Sequence, residues 1–154
     1  MAKAPHVMIV EARYYDDLAD ELGQGAVAEL ERQGASWVRF AVPGAFEIPA
    51  AIKYALRARD HLALQRPVDG FIALGCVIRG ETTHYDIVCN ECARGLQTLA
   101  LEHTLALGFG VLTCENREQA WARASRSGRN KGAEAARACL AMLELKRGFG
   151  LEPR

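Results

Sequence analysis

The sequence predicts an α/β protein, a three-layer αβα sandwich in which helices cover both faces of a four-stranded parallel sheet. Three observations lead to this fold class. Segments with a strand pattern alternate with segments whose apolar residues recur every three or four positions. The segment 71–78 is almost continuously apolar, as in a strand buried on both faces. No repeat or Pro/Ser-rich linker divides the 154 residues, so we expect a single domain over residues 1–154.

The first half of the chain predicts two strands, each followed by a helix. Leu18 and Leu22 belong to an apolar series at helical spacing, and Gly34 is a typical residue at a helix end. Apolar residues alternate along the second strand until Pro43 interrupts it. The predicted elements are a strand at 6–10, a helix at 15–33, a strand at 37–42 and a helix at about 46–59.

The second half predicts two more strands and three more helices. A polar loop at 79–83 separates the buried strand from a long helical pattern that ends near Leu107. Strands separated by helices imply right-handed crossovers, and therefore a parallel sheet in a flavodoxin-like arrangement. The predicted elements are a strand at 71–78, a helix at 84–107, a strand at 109–113 and helices at about 117–125 and 131–146.

Four segments of the chain are candidate binding loops. Ligands of open parallel α/β sheets bind beyond the carboxyl ends of the strands. The predicted strands end at Val10, Val42, Ile78 and Thr113. Each of the four following segments contains residues suited to ligand binding.

Aromatic residues and one carboxylate follow the first two strands. Tyr14 and Tyr15 could stack on a flat heterocycle, or they could form an apolar staple at the start of the first helix. Glu47 stands among apolar neighbours at the next helix start. Its carboxylate could accept hydrogen bonds from substrate hydroxyls, or it could simply offset the helix dipole.

The segment after the third strand has the highest density of chemically useful side chains. Gly80 permits close approach of the backbone to a ligand, and Thr82 and Thr83 either offer donors to an anion or cap the next helix. His84 is a candidate acid or base near neutral pH; the alternative is a surface histidine in a first helical turn. The other histidines adjoin no comparable loop and are expected at the surface: His6, His61 and His103.

Cationic residues follow the fourth strand. Arg123 could bind phosphate through a bidentate fork and Lys131 as a point charge, whereas the common alternative for each is a solvated cation at a helix end. The segment 128–132 lacks the spacing of a P-loop. No G-x-G-x-x-G motif follows a strand, so dinucleotide binding has no support in the sequence.

The composition argues against several classes of function. The formal net charge is +0, so we expect no nucleic-acid-binding surface. The sequence shows no signal-peptide pattern and no apolar run of the roughly 18 residues that a membrane helix needs, so we expect a cytoplasmic protein without membrane contact. The five cysteines fit reduced core thiols. Cys89 and Cys92 have C-x-x-C spacing, but they lie in a predicted helix without a second ligand pair for a metal.

Four motifs in this chain resemble those of the lumazine synthase (6,7-dimethyl-8-ribityllumazine synthase) family. They occur in the family's order and cover nearly the whole chain. The motifs are VPGAFEIP at 42–49, IRGETTHYD at 78–86 with VCNE at 88–91, FGVLT at 109–113 with EQA at 118–120, and NKGAEAA at 130–136. Four ordered motifs make a chance match implausible.

The resemblance implies a reaction and an assembly. The family condenses 5-amino-6-ribitylamino-uracil with 3,4-dihydroxy-2-butanone 4-phosphate to 6,7-dimethyl-8-ribityllumazine, the penultimate step of riboflavin biosynthesis, without cofactor or metal. It forms homopentamers or multiples of them, with sites at subunit interfaces, and riboflavin synthase is a candidate partner. His84 matches the proton-transfer residue. The resemblance implies that Tyr14 stacks on the pyrimidine, that Phe46 and Glu47 beside Ala45 bind the ribityl chain, and that the ring pocket is lined by Cys76, Val77 and Ile78. It implies phosphate contacts by Gly80, Glu81, Thr82 and Arg123. Phe109 would come from the neighbouring subunit, and Lys131 would lie near the site.

The chain also departs from the family, and two other classes of function remain as alternatives. The family commonly has Phe-Asn where this chain has Tyr14-Tyr15, which keeps the stacking ring but removes the hydrogen bond of the amide. A non-catalytic phospho-receiver would need an Asp at the end of the third strand, where residues 74–76 read LGC. A flavin- or lumazine-binding or shell-forming paralogue with little catalysis would tolerate loss of His84 or Arg123, and both are present.

Overall fold

Strands and helices alternate along the chain, as the sequence predicts. The computed structural model describes residues 3–58 and 61–151. The strands are β1 (His6–Ala12), β2 (Ser36–Val42), β3 (Gly70–Ile78) and β4 (Ala106–Cys114). The helices are α1 (Asp16–Arg32), α2 (Ile48–Ala58), α3 (His84–His103), α4 (Arg117–Ala124) and α5 (Lys131–Gly148), with short 3-10 helices at Ala45–Glu47 and Leu62–Leu64. Within this described part of the chain, no helix is long and apolar enough to span a membrane.

The four strands form one parallel sheet in the order β2-β1-β3-β4. The register aligns His6 of β1 with Ser36 of β2, and it aligns Gly70 of β3 with Ala106 of β4. The first seven residues of β3 are buried, as the apolar run predicts for a central strand. The predicted parallel sheet is therefore confirmed. All four strands end at the same edge, which we call the carboxyl rim.

Helices pack on both faces of the sheet, and two clusters of apolar side chains form the core. One cluster joins the sheet to α1, α4 and α5 through residues such as Leu18, Ile72 and Leu140. The other joins the opposite face to α2 and α3 through residues such as Ile52 and Leu96. Alternate residues of each strand enter opposite clusters because side chains alternate across a sheet. The αβα sandwich is thus confirmed.

Two glycines allow α5 to lie unusually close to its neighbours. A Cβ at Gly108 of β4 would overlap the carbonyl oxygen of Ala135, and a Cβ at Gly132 would overlap that of Leu22 in α1. Backbone atoms therefore meet directly, without an intervening layer of side chains. This contact fixes the position of α5 against both the sheet and α1.

His6 lies in the interior, which corrects the expectation that it is a surface residue. Its side chain is buried, with only 1% of its surface exposed. Nε2 donates to the carbonyl of Leu64 at 2.8 Å, and Nδ1 lies 2.8 Å from the hydroxyl of Ser36. The backbone N–H of His6 donates to the Asp69 carboxylate at 2.8 Å. The imidazole ties the start of β1 to the start of β2 and to the 3-10 helix Leu62–Leu64, and the backbone N–H adds the link to Asp69 before β3, a role that its sequence neighbours did not reveal.

The main error in the predicted boundaries lies between α3 and β4. The predicted helix continues to Leu107, but α3 ends at His103, and Thr104 adopts a left-handed conformation with φ 54°. β4 then begins at Ala106, three residues before the predicted start. The predicted end of the second helix at Arg59 lies outside the described residues.

Candidate active site

A cavity of about 830 Å³ opens at the carboxyl rim, beyond β1, β2 and β3. We call it the rim pocket. Its position agrees with the rule that parallel α/β sheets bind ligands beyond the carboxyl ends of their strands. The lining residues are Tyr14, Tyr15, Pro43, Gly44, Ala45, Phe46, Glu47, Cys76, Val77, Ile78, Gly80, Thr82, His84, Tyr85, Ile87 and Val88.

Two tyrosines between β1 and α1 form the first wall of the rim pocket. Their ring centres lie 4.9 Å apart at an interplanar angle of 76°, an edge-to-face pair. Tyr14 is 74% exposed, so a face of its ring is open to a ligand. Tyr15 is half-buried and packs against the core. Tyr14 thus lines the pocket with an exposed ring.

The turn between β2 and α2 forms the second wall. Gly44 is extended, and residues Ala45–Glu47 form one turn of 3-10 helix closed by a hydrogen bond from the Glu47 N–H to the Gly44 carbonyl at 3.2 Å. Ala45 is buried beneath the turn, whereas the side chains of Phe46 and Glu47 are exposed. An exposed apolar ring and a carboxylate therefore stand side by side at the mouth of the pocket.

The end of β3 supplies the floor. Cys76 is buried, and Val77 and Ile78 are half-buried. Burial raises the pKa of the Cys76 thiol to about 12, and the neighbouring Cys114 acts in the same direction. The thiol is therefore protonated at neutral pH and contributes an apolar surface, since the thiolate is the nucleophilic form.

The loop before α3 and the first turn of that helix close the fourth side. His84 is exposed, and its backbone N–H donates to the Thr82 hydroxyl at 3.3 Å. The guanidinium of Arg79 lies 4.2 Å from the centre of the Tyr85 ring, a cation–π contact. Arg79 also bonds to Glu115 at 2.8 Å, which links the loop to the residue after β4. The imidazole of His84 thus stands at the pocket mouth, on a loop that is anchored on both sides.

Four of the predicted site residues do not line the rim pocket of their own chain. Glu81 is exposed on the loop beside it. Arg123 is half-buried in α4 and donates from Nη1 to the Gln119 carbonyl at 2.9 Å. Lys131 begins α5 and pairs with Glu134 at 2.9 Å. Phe109 lines a different cavity.

That second cavity, of about 600 Å³, lies between α3, β4 and α5 at the edge of the sheet. We call it the edge groove. Phe109, Leu101 and Met142 are large apolar residues of its lining with 49%, 72% and 45% of their surfaces exposed. Lys146 donates to the Thr104 carbonyl at 2.5 Å, and burial lowers the pKa of its amine. The groove is therefore a mainly apolar surface beside an unpaired strand edge.

Several lining residues were not among the predicted site residues. Tyr15 was recognised only as half of an aromatic pair, and Pro43 and Gly44 only as strand breakers. Tyr85, Ile87 and Val88 lie on one side of α3, where the first two turns face the pocket. The spacing of three residues between Tyr85 and Val88 is a helical signal that could have identified this face once the helix start was known, whereas Ile87 gives no such signal.

The rim pocket combines a stacking ring, an apolar floor, one carboxylate and one imidazole. It has no Lys or Arg among its described lining residues. A cationic side chain that binds an anionic ligand must therefore come from a residue outside this lining. Among residues 3–58 and 61–151, no three His, Cys, Asp or Glu side chains converge as metal ligands. The arrangement suits a flat, hydroxylated ligand whose reaction moves protons.

Comparison with known proteins agrees with this geometry. The sequence pattern of the family described as 6,7-dimethyl-8-ribityllumazine synthase matches residues 4–147. A 6,7-dimethyl-8-ribityllumazine synthase of Agrobacterium fabrum is 56% identical over 146 residues, which cover 95% of this chain and 97% of that protein. A protein of Rhizobium meliloti named 6,7-dimethyl-8-ribityllumazine synthase 1 is 55% identical over 150 residues, 97% of each chain. One from Bartonella tribocorum is 50% identical over 150 residues, 97% of this chain and 95% of that protein.

Proposed function

The chain belongs to the 6,7-dimethyl-8-ribityllumazine synthase family and is an enzyme of riboflavin biosynthesis, and we propose that its reaction takes place in the rim pocket. The substrates are 5-amino-6-ribitylamino-uracil and 3,4-dihydroxy-2-butanone 4-phosphate, and the products are 6,7-dimethyl-8-ribityllumazine, phosphate and water. The observation that carries the proposal is the convergence of an open aromatic face, a carboxylate and His84 on one cavity.

The pyrimidine lies between the first and second walls in this proposal. Its ring stacks on the exposed face of Tyr14, above the apolar floor at the end of β3. The ribityl chain runs past Phe46, and its hydroxyls donate to the Glu47 carboxylate. Both side chains stand at the pocket mouth, which leaves room for a polyhydroxylated chain to reach solvent.

His84 transfers the protons. The primary amine of the pyrimidine attacks the ketone and gives an imine with loss of water; phosphate is then eliminated, and the ribitylamine closes the ring with loss of a second water. A histidine at the pocket mouth can accept and return protons in these steps, a contribution of typically 10²–10⁴-fold. Holding the two reactants together contributes roughly 7–11 kcal/mol more.

The phosphate is bound by the loop before α3 and by Arg123, which is not part of the pocket lining. Gly80, Glu81 and Thr82 lie at the amino end of α3, where free backbone N–H groups favour an anion. Burial raises the pKa of the Cys114 thiol, and the charge of Arg123 opposes that rise, which is consistent with a guanidinium near the end of β4. Arg123 uses Nη1 for the Gln119 carbonyl and keeps its other donors for a phosphate.

The active site is shared between copies of the chain. Phe109 lies in the edge groove and Lys131 lies beside α1, so neither joins the rim pocket of its own subunit. A second copy that covers the edge groove would bring Phe109 to a neighbouring rim pocket. We expect a homopentamer or a multiple of it, with riboflavin synthase as a candidate partner because it consumes the product.

The remaining expectations concern the whole chain. One sheet and its two core clusters support every wall of the rim pocket, which favours a single catalytic domain over residues 1–154. All five cysteines are free thiols, which fits a reducing cytoplasm.

An assay of the purified chain with both substrates tests the proposal. We expect the fluorescent lumazine to accumulate only when both substrates are present. Binding of the lumazine without turnover would instead identify a binding or shell-forming paralogue. Failure of the chain to form lumazine and to bind it would overturn the assignment of the rim pocket.

Mixing two variants of reduced activity tests whether sites are shared. Equal amounts of His84→Ala and Phe109→Ala subunits, unfolded and refolded together, should form mixed oligomers. About a quarter of interfacial sites would then combine two intact contributions, and activity should rise toward that fraction. No recovery in verified mixed oligomers would show that Phe109 acts within its own subunit or not at all.

A further inference from the structure

Tyr15 has a place in the rim pocket that the reaction described above does not use. It immediately precedes α1 with an extended backbone, φ −114° and ψ 103°. One side of its ring packs against the core cluster of α1, α4 and α5, while the residue also lines the pocket. Tyr15 therefore connects the rigid core to the cavity, and it is the edge-to-face support of the exposed Tyr14 ring.

Arg117 braces this tyrosine from the first residue of α4. Its guanidinium carbon lies 5.8 Å from the centre of the Tyr15 ring, within the range of a cation–π contact. The same guanidinium is paired with the carboxylate of Asp17, two residues after Tyr15. The side chain of Asn116 caps α4 by accepting from the Gln119 N–H at 2.9 Å, which fixes the backbone beside Arg117. Arg117 is thus held at two points while it covers the ring.

The hydroxyl of Tyr15 is available as a donor. Burial raises the pKa of the phenol, with contributions from Tyr14 and Cys76 in the same direction, while Arg117 opposes the rise. The phenol therefore keeps its proton at neutral pH. Among residues 3–58 and 61–151, this hydroxyl makes no hydrogen bond to a protein group. Tyr15 and Cys76 both line the rim pocket, where a bound ligand can supply the acceptor.

The geometry points to Tyr15 as a second pyrimidine-contacting residue, whose hydroxyl donates to an acceptor on the edge of the ring, and to Arg117 as the positioning residue that holds it. This inference rests on the proposed function of the rim pocket. A ring stacked on Tyr14 is parallel to it, and Tyr15 is inclined by 76° to that plane. With the pyrimidine on the pocket side of Tyr14, in the cavity that both tyrosines line, Tyr14 meets the face of the heterocycle and Tyr15 meets its edge, where the carbonyl oxygens of a uracil lie.

Steady-state kinetics of Tyr15→Phe test the donor. The substitution keeps the ring, and with it the support of Tyr14, but removes the hydroxyl. We expect KM for the pyrimidine to rise about 3–10-fold, as for the loss of one neutral hydrogen bond, with kcat and KM for the butanone phosphate within about twofold of wild type. An unchanged KM for the pyrimidine, or equal changes in both KM values, would overturn the inference.

Arg117→Met tests the positioning role, with Arg126→Met as the matched control. Arg126 pairs with Glu21 of α1 at 3.1 Å, so its loss makes the same charge change and also breaks a link to α1. Arg117→Met should raise KM for the pyrimidine about 3–10-fold in the wild-type background and much less in the Tyr15→Phe background, because coupled residues are not additive. Arg117→Lys should restore part of the affinity. Arg126→Met should leave both KM values unchanged.

The outcomes separate this inference from the function on which it depends. A wild-type chain that makes no lumazine would remove the proposed function and, with it, the role of Tyr15 as a pyrimidine-contacting residue. A wild-type chain that turns over, with a folded Tyr15→Phe variant of equal KM, would leave the function standing and remove only Tyr15. Additive effects of Arg117→Met and Tyr15→Phe on KM would show that Arg117 does not act through Tyr15.

Discussion

Arg39 of β2 holds the buried carboxylate of Glu11 with two hydrogen bonds of 2.7 Å. Glu11 is the sixth residue of β1 and only 4% exposed, three positions before Tyr14. Arg13 lies 3.4 Å from the same carboxylate and also pairs with Asp20 of α1. This ion-pair network joins two strands and a helix near the carboxyl rim.

Arg39→Met should destabilise the protein substantially. Removal of one partner of a buried pair leaves an uncompensated charge, at a cost of about 3–5 kcal/mol. We expect roughly 3 kcal/mol, the lower end of that range, because Arg13 still neighbours Glu11. Urea denaturation measures the change. The control is Arg94→Met, which removes an exposed pair with Glu91 and should cost at most about 1 kcal/mol; equal losses for the two variants would contradict a special role of the buried pair.

Glu29 gives the protein a specific sensitivity to acid. Arg32 above all, with Gln33 and Arg137, lowers the pKa of this carboxyl from 4.5 to about 2. Its contribution to stability is complete above pH 4.5 and is lost as the pH falls toward about 2. The stability difference between wild type and Glu29→Gln should therefore shrink across this window. Chemical denaturation at several pH values measures it, and a stability difference that stays constant between pH 4.5 and about 2 would contradict the prediction.

His84→Ala should lower kcat by about 10–10³-fold, because proton transfer is lost while proximity of the two reactants survives. Both KM values should change little. His103→Ala is the matched control, since His103 ends the same helix at the opposite end from the rim pocket. An unchanged kcat in the folded His84→Ala variant would reduce His84 to a residue of the first helical turn.

Arg123→Ala should raise KM for the butanone phosphate by about 10–100-fold, because a charged hydrogen bond contributes roughly 1.5–3 kcal/mol. KM for the pyrimidine should stay within a few-fold. Arg123→Lys should recover only part of the loss, because an ammonium cannot form the bidentate fork. Arg129→Ala removes an exposed cation from the following loop and serves as the control. Equal damage to both KM values would indicate a structural role for Arg123.

Phe109→Asp should disrupt the assembly. The side chain stands 49% exposed in an apolar groove, so a charge there would be buried in any interface that covers it. Light scattering should find a pentamer or a multiple for wild type and smaller species for the variant. Leu62→Asp changes an even more exposed apolar residue outside the groove and should leave the assembly intact. A wild-type monomer at micromolar concentration would remove the shared-site proposal.

The sequence predicted the fold more completely than it predicted the first and last residues of the helices and strands. The hydrophobic periods identified all four strands and five helices, because burial on a sheet or helix face leaves a pattern in the residues themselves. The end of α3 was missed because Leu105 and Leu107 continue the apolar series past Thr104, which ends the helix without a glycine. β1 extends two residues past its predicted end at Val10, and Glu11 continues the strand as part of a buried ion pair. Its partner Arg39 lies 28 positions away, and this long-range contact was not predicted.

The candidate site was predicted residue by residue mainly from the motifs, and the structure groups most of those residues around one cavity. Tyr14, Phe46, Glu47 and His84 all line it. The motifs did not predict the roles of Tyr15 and Arg117, because these roles depend on contacts between distant segments of the chain. Arg117 meets Tyr15 only after α4 packs beside α1, a contact across about 100 positions that local patterns cannot encode.

The buried His6 lies at the opposite end of the sheet from the rim pocket, and this separation has a use in engineering. Its hydrogen bonds to Leu64, Ser36 and Asp69 secure the amino-terminal ends of the strands without approaching the ligand. Catalytic sites often trade stability for activity, so stabilising substitutions near them tend to slow turnover. A library confined to the amino-terminal edge can therefore raise the melting temperature of the scaffold and leave its catalytic parameters free to be evolved separately at the other edge.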